Sequence, residues 1–122
     1  MKIDVRIANN FWKRAVGLLG SLPLNDQQGM LISPCNSIHT CFMRLPIDAV
    51  FIDLDGNIMR IVEHIRPWKF AAAKAHSCLE LSAGNAARLG LKVDDCLAEL
   101  AQPVTGKVIQ IVVLLPVSTP HF

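Results

Sequence analysis

The chain has 122 residues, a net charge of +2, 52% hydrophobic residues and 18% charged ones. The length suits one domain and excludes two, and the composition is that of a globular chain rather than a disordered one. The small charge, with basic residues scattered along the sequence, gives no electrostatic case for a nucleic-acid partner.

The elements follow in chain order. Lys2 to Ala8 alternates polar and apolar with period two, which predicts a strand with one buried face. Phe11 to Leu19 shifts to a helical period behind a capping Asn10, and Gly20 and Pro23 end it. Gly29 to Ile32 is a short strand, and Ser33 to Thr40 is irregular. Ile47 to Ile52 and Ile58 to Ile65 are two strands joined by Asp53-Leu54-Asp55-Gly56-Asn57, whose Asp-Gly-Asn supplies the residues a tight turn needs. Pro67 to Ala75 reads as a loop carrying Trp68 and Phe70, and Ser77 to Leu81 as a strand. Asn85 to Leu89 makes one or two helical turns closed by Gly90. Cys96 to Leu100 and Lys107 to Leu115 are further strands, and residues 116–122 are a tail.

Short strands with one or two short helices predict a mostly β single domain over residues 1–122, a sandwich or a barrel. The helices are too short to cross over in a doubly wound parallel sheet. Ile3, Val5 and Ile7 alternating with Asp4 and Arg6 do not make a signal-peptide core. The run Ile111 to Leu115 is far short of the roughly 20 apolar residues of a spanning helix. The expectation is a cytoplasmic protein without a transmembrane segment, its four cysteines present as thiols.

Residues able to do chemistry cluster in Cys35-Asn36-Ser37-Ile38-His39-Thr40-Cys41. Thiolate and imidazole suit zinc or copper. Cys35, His39 and Cys41 would need a fourth ligand from His64, His76 or Cys78, and their spacing is not a common zinc pattern. The same thiols could serve as a nucleophile if His39 or His64, oriented by Asp48, lowered a thiol pKa. The plainer reading is a buried loop with its cysteines acting as small hydrophobes. Asp48 interrupts an apolar strand and needs a partner, with Arg44, His39 or Arg66 as candidates. Glu80 alternates with Leu79 and Leu81, so it faces either solvent or a pocket where Arg44 or Arg66 could meet it. Trp68 and Phe70 could line a groove or cap the end of the sandwich.

The ordered series Phe11, Arg14, Gly17-Leu18, then Gly29-Met30-Leu31-Ile32, then Phe42-Met43-Arg44, Asp48, Phe51-Ile52-Asp53 and Gly56 continues through Ile58, Pro67, Leu79-Glu80-Leu81, Gly84 and Asp95. Over about residues 3–100 this resembles the family catalogued as domain of unknown function 192. The resemblance implies a small β-rich, jelly-roll-like sandwich and carries no activity. It points to Arg14, Met43, Arg44, Asp48, Glu80 and Gly84 as positions where relatives place polar or special residues. Many relatives have Met-Lys-Asn-Thr where this chain reads Met43-Arg44-Leu45-Pro46, and Gly-Asp where it reads Asp94-Asp95.

The expected function is a non-enzymatic binding or accessory module. Its candidate ligand-binding residues are Arg14, Met43, Arg44, Asp48, Trp68 and Glu80, its partner is a small molecule or protein, and no cofactor is expected. One alternative is a thiol- or metal-dependent enzyme using Cys35, His39 and Cys41. Another is a structural domain that pairs its apolar C-terminal strand with a partner or with a copy of itself.

Overall fold

In the computed structural model of the protein, residues 2–8, 27–40, 45–103 and 108–112 are described. The strands are β1 (Lys2–Ala8), β2 (Gln28–Ile32), β3 (Ser37–His39), β4 (Ile47–Ile52), β5 (Ile58–Ile65), β6 (Phe70–Ala72), β7 (Ser77–Ser82) and β8 (Val108–Val112). A short helix α1 (Asn85–Arg88) follows β7, and one 3-10 turn covers Ala98–Leu100. Six strands form one sheet in the order β5-β4-β7-β2-β1-β8, and β3 pairs with β6 in a second, two-stranded sheet. The fold is mostly β, and the described strands do not close into a barrel.

Period-two alternation gives the large sheet two apolar faces. One face carries Val5, Leu31, Val50, Leu79 and Leu81, packed beneath Ala86, Leu89, Leu97 and Leu100 of α1 and the segment after it. The other carries Met30, Ile32, Ala49, Phe51 and Cys78, packed with Ile38 and Ala71 of the small sheet. The middle strands β4 and β7 are buried almost throughout because both of their faces are covered.

The β4–β5 hairpin runs as its sequence predicts. Asp53 Oδ1 accepts the backbone N–H groups of Asp55 and Asn57, each at 2.9 Å, and Asp53 Oδ2 accepts from the Asn57 amide at 3.1 Å. The N–H of Asn57 is the main influence that draws the Asp53 carboxyl below its ordinary pKa. Gly56 takes φ +88°, and a Cβ there would lie 2.3 Å from the Leu97 carbonyl oxygen. This turn therefore needs glycine for its backbone angle and for space.

Several segments depart from the sequence reading. Residues 33–40 are not wholly irregular and residues 67–75 are not wholly loop, because each contributes a three-residue strand to the small sheet. Only Ile38 and Ala71 face inward there, too few for a visible period. Cys96 to Leu100 is not a strand. Cys96 makes an isolated bridge to Asn57, and the chain then turns, burying Leu97 and Leu100 three residues apart. The sheet is also mixed, since β1 and β2 run parallel. Residues 9–27 join them, which exceeds the dozen or so residues a parallel connection requires. The expected helix at Phe11 to Leu19 and the tail lie outside the described residues.

Candidate functional site

Glu80 sits in the middle of β7, flanked by Met30 of β2 and Ala49 of β4. Both neighbouring strands are hydrogen-bonded to β7, so the side chain emerges at the centre of the sheet. Its face is that of Met30, Ala49 and Cys78, and only 2% of its surface is exposed. Among the described residues, Glu80 Oε1 is the buried side-chain oxygen without a hydrogen-bond partner. Burial pushes the carboxyl up to about 7, because charge is costly away from water. At neutral pH this acid therefore divides between its neutral and charged forms.

Cys78 lies two residues earlier on the same face. Burial, then the negative charge of Glu80 and then Cys35, raise its thiol well above the ordinary value. A thiol so placed stays protonated at neutral pH and is a poor nucleophile. Cys35 is buried beside the same cluster, and its thiol donates to the Ser37 carbonyl at 3.0 Å. Nearby, Ser77 Oγ donates to Ser33 Oγ at 3.0 Å and lies 3.0 Å from His76 Nδ1. This small buried hydroxyl network had no signature in the sequence, because residues 33 and 77 meet only through strand pairing.

Asp48 has a different role from Glu80, although their strands are adjacent. It pairs with Leu81 while Ala49 pairs with Glu80, so Asp48 and Glu80 project from opposite faces of the sheet. Asp48 is fully buried. Its Oδ1 accepts the His64 N–H at 2.9 Å, and its Oδ2 accepts the Ala86 N–H at 2.9 Å. Among the described residues the partners are thus backbone donors at a β5 irregularity and in the first turn of α1, in place of the expected His39 or Arg66 side chains. Each is a charge-assisted bond that satisfies an otherwise orphaned N–H. Asp48 fastens β4, β5 and α1 together.

Trp68 and Phe70 stand out from the surface at 62% and 71% exposure. Trp68 has φ +66°, uncommon for a bulky residue. The loop is held by Thr40, a buried residue the sequence did not single out. Its hydroxyl donates to the Arg66 carbonyl at 2.6 Å and accepts the Lys69 N–H at 2.8 Å, while its carbonyl accepts the Trp68 N–H at 3.0 Å.

His39 is exposed on β3 opposite Phe70, whereas Cys35 is buried in the core. Among the described residues no group of three or more His, Cys, Asp or Glu side chains converges as a metal site would require. Arg14, Cys41, Met43 and Arg44 lie outside the described residues. Also among the described residues, no helix is long and apolar enough to cross a membrane.

A UPF0127 protein of Pyrococcus furiosus is 30% identical over 104 residues, spanning 80% of this chain and 87% of its own. A UPF0127 protein of Pyrococcus horikoshii is 33% identical over 79 residues, spanning 61% of this chain and 66% of its own. Among solved structures, a protein of unknown function from Novosphingobium aromaticivorans is similar with a TM-score of 0.65 at 29% identity, covering 75% of this chain and 71% of that one. A Sinorhizobium meliloti protein described as a candidate transcription regulator is similar with a TM-score of 0.69 at 27% identity, covering 77% and 79%. The family model for domain of unknown function 192, described as an uncharacterized ACR, matches residues 1–98, and the chain belongs to that family.

Proposed function

We propose that the domain is a non-enzymatic binding module that holds a small molecule or peptide against the Glu80 face of the large sheet. The carrying observation is the buried Glu80 Oε1, without a partner among the described residues. A buried polar atom left unpaired costs about 1–3 kcal/mol, and a ligand donating an O–H or N–H to it removes that cost. Met30, Ala49 and Cys78 around it would take an apolar body. Asp48 serves from the opposite face as an anchor of the strands that carry the site. Arg14, Met43 and Arg44, singled out by sequence, remain the candidate polar and thioether contacts, and Trp68 a candidate rim residue.

The protonated Cys78 and the hydrogen-bonded Cys35 favour binding over thiol catalysis. A transcription role, suggested by the description of the Sinorhizobium meliloti protein, would call for a basic face to meet phosphates. The net charge of +2 gives that reading little support.

The test is a ligand-observed NMR screen of small fragments bearing hydroxyl, amide or ammonium donors on an apolar frame. Hits should shift the methyl signals of Met30 and Ala49 and should lose binding in Glu80→Leu, which removes the acceptor. Fragments that bind only elsewhere, or bind the variant equally well, would contradict the proposal.

A further inference from the structure

The two edges of the large sheet are treated very differently. At the β5 edge, Ile58 exchanges backbone hydrogen bonds with Asp94 and Asp95, the Arg60 guanidinium donates to the Ala72 carbonyl, and Glu63 and His64 add exposed polar side chains beside a register shift. These are the devices that blunt an edge against pairing. The β8 edge has none of them in its sequence. Val108-Ile109-Gln110-Ile111-Val112 contains no charge, no proline and no glycine, and is β-branched at every position but one. Among the described residues no strand pairs with its outer side.

That strand is also a palindrome about Gln110. A strand reading the same in both directions matches a second copy of itself when the two run antiparallel. In that register Gln110 stands opposite Gln110, Ile109 opposite Ile111 and Val108 opposite Val112. The contact is isologous, with its twofold axis at Gln110. A slip of two residues would set Gln110 against valine and lose the amide pair, so the register is specified by the sequence itself.

We infer that β8 is a self-association surface, and that two copies of this chain join β8 to β8 antiparallel about Gln110 to make one continuous sheet of 12 strands from two sets of six. Pairing satisfies the outer N–H and C=O groups of both β8 strands, which strand order otherwise leaves at an edge. A five-residue strand is a small contact beside a standard interface of about 1,600 Å². The association is therefore micromolar rather than nanomolar, and is independent of what binds near Glu80.

Sedimentation velocity on the full chain from about 1 µM to about 1 mM should pass from monomer to dimer. Gln110→Lys and Gln110→Glu each place like charges opposite one another at the axis, and each should weaken the dimer by about tenfold. In the monomer position 110 pairs with Asp4, so the lysine variant gains an opposite charge there, while the glutamate variant meets a like charge and its amide NMR spectrum must match that of wild type for its loss of dimer to count. An equimolar mixture of the two variants should restore the dimer as a heterodimer. In mixed-label wild-type protein, NMR should show intermolecular contacts between the Gln110 backbones. A wild type that stays monomeric, variants that dimerise as well as wild type, or a dimer without Gln110 contacts would each overturn the inference.

Discussion

Glu80→Gln isolates the energetic consequence of burying an acid at the centre of a β sheet. The native carboxyl is raised from 4.5 to about 7 by burial. With a folded value above the unfolded one, the native state holds more protons between those two pH values. Stability is therefore full below about 4.5, falls as pH rises, and levels off once pH passes about 7. At about 1.4 kcal/mol for each pH unit of difference, the whole loss is about 3 kcal/mol. Glutamine has no charge to lose, so the variant lacks this decline. Its amide places two extra donors in the core, which lowers its stability by a constant amount at every pH. The informative quantity is thus the difference between two curves rather than either curve alone. Urea unfolding of both proteins across that window gives it, because the other titrating groups are common to both and largely cancel. The variant should gain about 3 kcal/mol on wild type between the bottom and the top of the window. Parallel curves would refute the reasoning, since they would mean that Glu80 ionises in folded and unfolded chains alike.

Other substitutions probe the supports around the site. Asp48→Ala strands the backbone N–H groups of His64 and Ala86, the second of them buried, and should cost about 3 kcal/mol in chemical denaturation. Gly56→Ala and Gly84→Ala both force alanine into positive φ, but only the first drives a Cβ against a carbonyl, while a Cβ at the second meets nothing within 4 Å among the described residues beyond its chain neighbours. The Gly84 change should cost about 1–2 kcal/mol and the Gly56 change distinctly more, so equal melting temperatures would count against the turn geometry. Thr40→Val keeps the shape but removes the hydroxyl that holds Arg66 and Lys69. It should cost about 2 kcal/mol and broaden the Trp68 indole NMR signal.

Legibility followed the kind of interaction each element depends on. The β4–β5 hairpin was readable because its period and its Asp-Gly-Asn turn are local signals pointing the same way. The strands β3 and β6 were not, because each buries one central residue and owes its existence to the other. Leu97 and Leu100, spaced by three, fit the 3-10 turn that formed, but within Cys96 to Leu100 the same residues also pass for a strand. At the candidate site, alternation left two readings for Glu80, and the choice between solvent and core was made by what covers the other face of β7. The need of Asp48 for partners was legible from its apolar surroundings. Their identity was not, since backbone donors 16 and 38 residues away leave no mark in composition.

The account rests on a buried carboxyl whose Oε1 has no partner among the described residues, and a carbon-13 NMR titration of the Glu80 side-chain carboxyl in the folded protein measures that state directly. A midpoint near 7 is the predicted result. A midpoint at or below the ordinary 4.5 would mean that Glu80 is solvated or already paired, and would remove the basis for a ligand site there.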